Sequence, residues 1–240
     1  MISISPGHFG PKTGASGFID EVTEAIKVSK RVTEILKGAG IHVNYIEDKY
    51  SKNKKDNINW LVSQHNRSDR KLDVSVHFNS SSGSTDKGIG TETLVYGESN
   101  KKLAKNVTDA ISNASGLINR GVKIRTDLGF LRGTNKPSIL IEICFVNSSV
   151  DVALYKRDFE KICLGIATEL AAHLGKTLKT AKPSATSSST VDTDIETRAK
   201  KLIKKAVDKK VFNAAAHKNS DKYTKDQLLR YLTILGERLL

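Results

Sequence analysis

The chain has 240 residues, 38% of them hydrophobic and 27% charged, with a mean hydropathy of -0.35. That is the profile of a globular protein able to fill a core of ordinary size. No run reaches the roughly 18 apolar residues of a membrane-spanning helix, and the opening MISISPGHFGPK has neither the basic nor the apolar stretch of a secretory signal. The expectation is synthesis in the cytoplasm, with release by another route for any action outside the cell.

A formal net charge of +13, from 39 Lys and Arg against 26 Asp and Glu, suits polyanionic partners: nucleic acid, anionic lipid or phosphate-bearing wall polymers. Nucleic acid is disfavoured by an aromatic content of 6% and by the lack of any aromatic-rich RNA-binding signature or zinc-finger spacing. Cys144 and Cys163 sit in apolar surroundings, ILIEICFV and FEKICLGIA. They read as buried free thiols of a protein made in a reducing compartment.

In chain order, Ile2 and Ile4 alternate with serines as a first strand. The apolar positions Val22, Ala25, Ile26, Val32, Ile35, Leu36 and Ala39 recur at helical spacing over about Asp20 to Ala39. Gly38 and Gly40 mark that helix end, and Ile41 to Ile46 form a second strand. A Lys/Asn-rich loop leads to a helix around Ile58 to Arg67 and a strand Leu72 to Phe78. Strand Thr91 to Tyr96, helix Asn100 to Ala114, strand Ser138 to Phe145 and helix Leu154 to Leu174 complete the alternation. Strands separated by helices predict an α/β fold, a mainly parallel twisted sheet with helices on both faces.

Residues 1–178 form this first domain. KTAKPSATSSST, 179–190, reads as a flexible linker with a reach of roughly 20 Å. Residues 191–240 predict a small α-helical domain of two helices. Thr193-Asp-Ile-Glu196 and Thr224-Lys-Asp-Gln227 have capping-box form, followed by stripes through Ile195, Leu202 and Ile203 and through Leu228, Leu232, Leu235 and Leu239. So small a unit rarely buries enough surface alone. Its 12 basic against 7 acidic residues suit an anionic polymer, and its leucine stripe suits self-association into a homo-oligomer.

Three polar residues lie at or beside the carboxyl ends of these strands, where parallel sheets place their functional groups, and a fourth opens a helix on the same rim. His8 follows the first strand, His77 ends the strand DVSVHFNS, Glu142 interrupts PSILIEICFVN, and Glu21 opens the first long helix. Two imidazoles and a carboxylate make a three-ligand zinc set with a position left open, and the remaining carboxylate can act as general base. Each residue also has a plainer reading. His8 fits a Pro-Gly turn and His77 a hydrogen-bonded strand histidine. Glu21 complements a helix N-terminus, and Glu24 competes with it as ligand. A carboxylate at Glu142, amid Ile139, Leu140, Ile141 and Ile143, costs several kcal/mol unless compensated; a structural Arg or Lys partner would do so, and a metal-bound water is the sharper explanation.

Four segments in order resemble the zinc-dependent N-acetylmuramoyl-L-alanine amidases of the amidase-3 family, found in autolysins and phage endolysins. Ser5-Pro-Gly-His8-Phe-Gly is similar to the family's opening turn. Gly14-Ala15, with Glu21 heading a helix that ends Leu36-Lys-Gly-Ala-Gly40, is similar to its second block. Ser75-Val-His77-Phe-Asn79 resembles its Ser-x-His-x-Asn strand end, and Pro137 to Asn147 its Pro-x-x-Leu-x-Glu-x-x-Phe-x-Asn block. Phe9 and Cys144 depart from it, each standing where glycine is usual.

The resemblance implies one zinc ion held by His8, Glu21 and His77, with Glu142 as the catalytic carboxylate. It further implies substrate positioning by Asn79 and Arg132, and hydrolysis of the amide between N-acetylmuramic acid and L-alanine. Peptidoglycan and anionic wall polymers would be the partners, with no membrane. Another zinc hydrolase of the wall (a peptidase or deacetylase) and a basic nucleic-acid-binding protein are the alternatives.

Overall fold

A computed structural model of the chain describes residues 1–10 and 13–178. The chain divides into two units, Met1–Leu178 and Lys179–Leu240. The linker and two-helix expectations fall outside the described residues.

Six strands form one sheet in the order β2-β1-β3-β6-β4-β5: β1 (Ile2–Pro6), β2 (Val43–Tyr45), β3 (Leu72–Asn79), β4 (Thr91–Val95), β5 (Asn119–Ile124) and β6 (Ser138–Phe145). All neighbours pair in parallel except β4 with β6, so the expected mainly parallel sheet carries one antiparallel joint. The helices are α1 (Glu21–Gly38), α2 (Lys54–Asn66), α3 (Lys101–Ser115), α4 (Gly129–Gly133), α5 (Ser149–Arg157) and α6 (Phe159–His173). Among the described residues no helix is long and apolar enough to cross a membrane.

The two faces of the sheet differ in chemistry. Strand alternation and register put Ile2, Ile4, Val74, Val76, Ile139 and Ile141 on one face. All six are essentially solvent-free in the main core, packed with Ala25, Val28 and Val32 of α1, Val107 and Ile111 of α3, and Ile162, Ile166 and Leu170 of α6. Each such side chain contributes about 1.5–3 kcal/mol. The opposite face carries Ser3, Ser5, Asp73, Ser75, His77, Ser138, Leu140 and Glu142 in matching register. It is covered where Phe130 and Leu131 of α4 pack on Leu94 and Leu140. The continuous hydrophobicity of β6 is therefore an alternation interrupted by Leu140, and Glu142 lies on the polar side.

Chain direction places the site. From β1 the chain passes through α1 to β2 on one flank, then through α2 to β3 on the other flank of β1. Right-handed crossovers put α1 and α2 on opposite faces. The carboxyl ends of β1 and β3 thus form the switch point where open α/β sheets bind ligands.

Two elements depart from expectation. The helix expected over Leu154 to Leu174 is two helices. Ser148 caps α5 through Asp151 N–H, and the backbone turns at Asp158 before α6. There the Asp158 carboxylate binds Lys161 and Arg157. The strand β5 is not expected from its letters, because its edge position leaves it exposed and without apolar alternation. Only pairing with β4 makes it a strand.

Candidate metal centre and active site

His8 leaves β1 after Gly7, whose amide donates to Val76 O of β3 at 2.9 Å. A Cβ at Gly7 would sit 1.8 Å from His77 Cε1, so glycine is what allows β1 to run against the second imidazole. Asp20 caps α1 by accepting from Thr23 N–H, which fixes Glu21 in its first turn. The Glu21 backbone N–H donates to Ala15 O at 3.0 Å. Its Oε2 accepts from Ala15 N–H at 2.6 Å and its Oε1 from Phe78 N–H at 3.1 Å. A Cβ on Gly14 would lie 2.7 Å from Glu21 Oε2.

These constraints bring three donors together. Glu21 Oε1 is 3.1 Å from His8 Nε2 and 3.0 Å from His77 Nδ1. The imidazoles meet edge to face, with centroids 5.0 Å apart. On its other nitrogen, Nε2, His77 meets Ser75 Oγ at 3.0 Å. That contact leaves Nδ1 as the nitrogen facing Glu21. One donor atom from each of His8, Glu21 and His77 lies within 4.8 Å of the others, and N/N/O is a donor set that suits zinc. The residues present fit a metal. Glu24 is engaged elsewhere, by Tyr155 Oη at 2.8 Å and Lys27 Nζ at 2.7 Å.

Electrostatics agree with ligation. Burial works to raise the Glu21 carboxyl, but the imidazoles of His77 and His8 outweigh it and hold the group far below the carboxylate range. Burial pushes His77 below its usual value against the pull of Glu21, which favours the neutral imidazole a metal requires.

Glu142 pairs in register with His77, and its Oε2 is buried with no hydrogen-bond partner. Burial first, then the charges of Glu21 and Glu92, raise its pKa to about 8. An orphaned carboxylate oxygen beside three converging donors is what a proton-transferring group requires. The trio and Glu142 line one cleft of about 480 Å³ together with Asn79, Glu92, Lys54 and Arg125.

Asn79 lines this cleft, bound to Glu92 Oε1 at 2.9 Å and to Ser80 N–H at 2.7 Å. Arg132 is exposed on α4 and is not among the lining residues. Arg125 lines the cleft and pairs twice with Asp127, at 2.8 and 2.7 Å. Neither Phe9 nor Cys144 lines it; Cys144 is a buried free thiol, as is Cys163. Sequence reasoning misses Glu92, which stands opposite Glu142 and receives Arg120 Nε on Oε2 at 2.9 Å. The one available signal is a carboxylate within Thr91-Glu92-Thr93-Leu94-Val95.

Beneath the cleft runs a second polar cluster. His65 Nδ1 lies 2.7 Å from Asp73 Oδ1, and Nε2 lies 3.0 Å from Ser5 Oγ. Arg70 completes it with two bonds to Asp73. The Ser-His-Asp order resembles a nucleophilic triad, but Ser5, His65 and Asp73 are each 0% exposed. It is a buried brace of α2 against the sheet.

An α/β sheet carries, at its switch point, two imidazoles and a carboxylate that could hold a metal ion, with an unpaired carboxylate in the same cleft. The chain belongs to the N-acetylmuramoyl-L-alanine amidase family Amidase_3, whose profile matches residues 2–172. An uncharacterized protein of Clostridium perfringens (strain 13 / Type A) is 34% identical over 158 residues, 65% of this chain and 46% of that protein. This chain thus spans about half the length of that relative. The germination-specific N-acetylmuramoyl-L-alanine amidase of Bacillus subtilis (strain 168) is 26% identical over 168 residues, 64% of this chain and 70% of that one. The catalytic domain of the CD27L endolysin targeting Clostridia difficile shares the fold, with a TM-score of 0.65 at 24% identity over 73% of this chain and 97% of that one.

Proposed function

We propose that this chain hydrolyses the amide joining the lactyl group of N-acetylmuramic acid to L-alanine in peptidoglycan, with zinc held by His8, Glu21 and His77. The observation that carries the reading is the buried, unpartnered Oε2 of Glu142 in the same cleft as the three donors; membership of the amidase family supports the choice of bond. Bound there, zinc supplies Lewis acidity, which polarises a carbonyl oxygen and lowers the pKa of water toward about 7. Glu142 takes a proton from the water whose oxygen attacks the lactyl carbonyl carbon. It then delivers that proton to the nitrogen as the C–N bond breaks. The products are the lactyl carboxylic acid and a peptide with a free L-alanine amine.

Two side chains are assigned to positioning. Asn79 keeps one amide hydrogen beyond its bond to Glu92 and offers it to the substrate. Arg132 serves only a ligand that extends past the cleft. Action on the bacterial wall, in the manner of an endolysin or autolysin, follows from the substrate. Anionic wall polymers are attracted by the +13 charge. Residues 191–240 are assigned wall targeting or self-association.

Mass spectrometry of digested peptidoglycan tests the bond. New L-alanine amines on an intact glycan are expected. Cuts within the stem peptide, or loss of acetyl groups, would overturn the assignment.

A further inference from the structure

Among the described residues, Lys54 and Arg125 are the lysine and the arginine that line the cleft, and they differ in availability. The Arg125 guanidinium is committed to Asp127 through two bonds. Lys54 makes no ion pair with any described residue, although three carboxylates share its cleft. Glu21 is saturated by two imidazoles and two backbone amides, and Glu92 by Asn79 and Arg120. Glu142 is buried, and its Oε2 takes no hydrogen bond from Lys54 or from any other described residue.

The position of Lys54 is fixed although its side chain is solvated. It opens α2, whose N-cap Asn53 accepts from Asp56 N–H at 2.9 Å. Asn57, one turn on, is buried against Asp48 Oδ2 at 2.8 Å, and His65 anchors the far end to Asp73. The ammonium therefore belongs to a braced helix end that lines the cleft. An unpaired lysine on a rigid wall of a site is a point charge available to an anionic ligand group.

Resting on the amide-hydrolysis reading, we propose that Lys54 is a specificity-determining residue that pairs with a free carboxylate on the peptide side of the substrate. A peptide carries such groups on residues beyond the L-alanine, and converting one to a carboxamide removes the charge while preserving shape. The chain then prefers stems with the free acid over the amidated form. The pair lies at a solvated rim, so the preference shrinks as salt is raised.

The test uses two soluble muramyl peptides, free of phosphate, that differ only in carboxylate against carboxamide at the residue after L-alanine. The full chain is assayed with zinc. The wild type is expected to show a KM lower by about tenfold for the acid. Lys54→Gln should abolish that difference through KM rather than kcat, and Lys54→Arg should restore most of it. Equal KM values for the two peptides in the wild type, or a preference that survives in Lys54→Gln, would overturn the proposal. Cleavage of neither peptide by the wild type would instead sink the amide-hydrolysis reading, and the anchor with it.

Discussion

Glu92 and Glu142 face each other across the antiparallel pairing of β4 with β6, so two carboxylates share the cleft face of the sheet. They are not equivalent. Glu92 is paired with Arg120 and bound by Asn79, whereas Glu142 has an oxygen without a partner. Two acids with divergent environments supply one structural anion and one group able to carry a proton.

The negative charge of Glu92 is one of the causes that raise Glu142, so removing it lowers the Glu142 pKa. A base works in its ionised form, and the acid limb of kcat/KM should move to lower pH in Glu92→Gln. A limb that stays in place or moves upward would show that Glu92 does not act on Glu142.

Glu142→Gln should lower kcat by about 10²- to 10⁴-fold while zinc still binds stoichiometrically. The same substitution should stabilise the metal-free fold. Glu142 has a folded pKa near 8, above its unfolded value, so ionisation on unfolding penalises the native state at pH above the unfolded value. The penalty is absent at pH 4 and full well above pH 8, where the variant should gain several kcal/mol. Urea melts at both pH values check the sign, and a gain confined to acid would refute it.

Ser75 stands on the far nitrogen of His77, where metal-ligating histidines usually have an orienting partner. Ser75→Ala should weaken zinc binding about 10- to 100-fold, read by competition with a chromogenic chelator. Unchanged affinity would mean that packing alone orients the ring.

The buried brace should matter for stability and not for chemistry. Asp73→Asn leaves Arg70 uncompensated in a solvent-free site and should cost about 3–5 kcal/mol, measured by denaturant melting. Ser5 is sealed from solvent, so a sulfonyl fluoride should leave it unmodified in the folded protein. Labelling at Ser5 would show that the cluster opens and reacts.

Much of the fold is legible in the residue pattern. Apolar runs locate β3 and β6 within a residue, because burial on the α1, α3 and α6 side demands apolar letters there. The edge strand β5 and the break at Asp158 are not legible. Pairing with a neighbour makes the one, and side-chain bonds from Lys161 and Arg157 mark the other. Glu142 is conspicuous as a charge in an apolar run, whereas Glu92 lies among threonines and does not stand out.

By itself, the order of residues singled out the candidate side chains, since His8, His77 and Glu142 stand out by type and by place at strand ends, and an acid opens the first long helix. It did not decide between Glu21 and Glu24, nor which cations face the cleft. Those choices depend on the rotation of α1 and on side-chain contacts between segments far apart in the chain. Glu24 turns to Tyr155 across 131 residues, while Glu21 turns to two imidazoles. Local pattern constrains which face of an element is apolar; only packing in three dimensions settles which polar groups find each other.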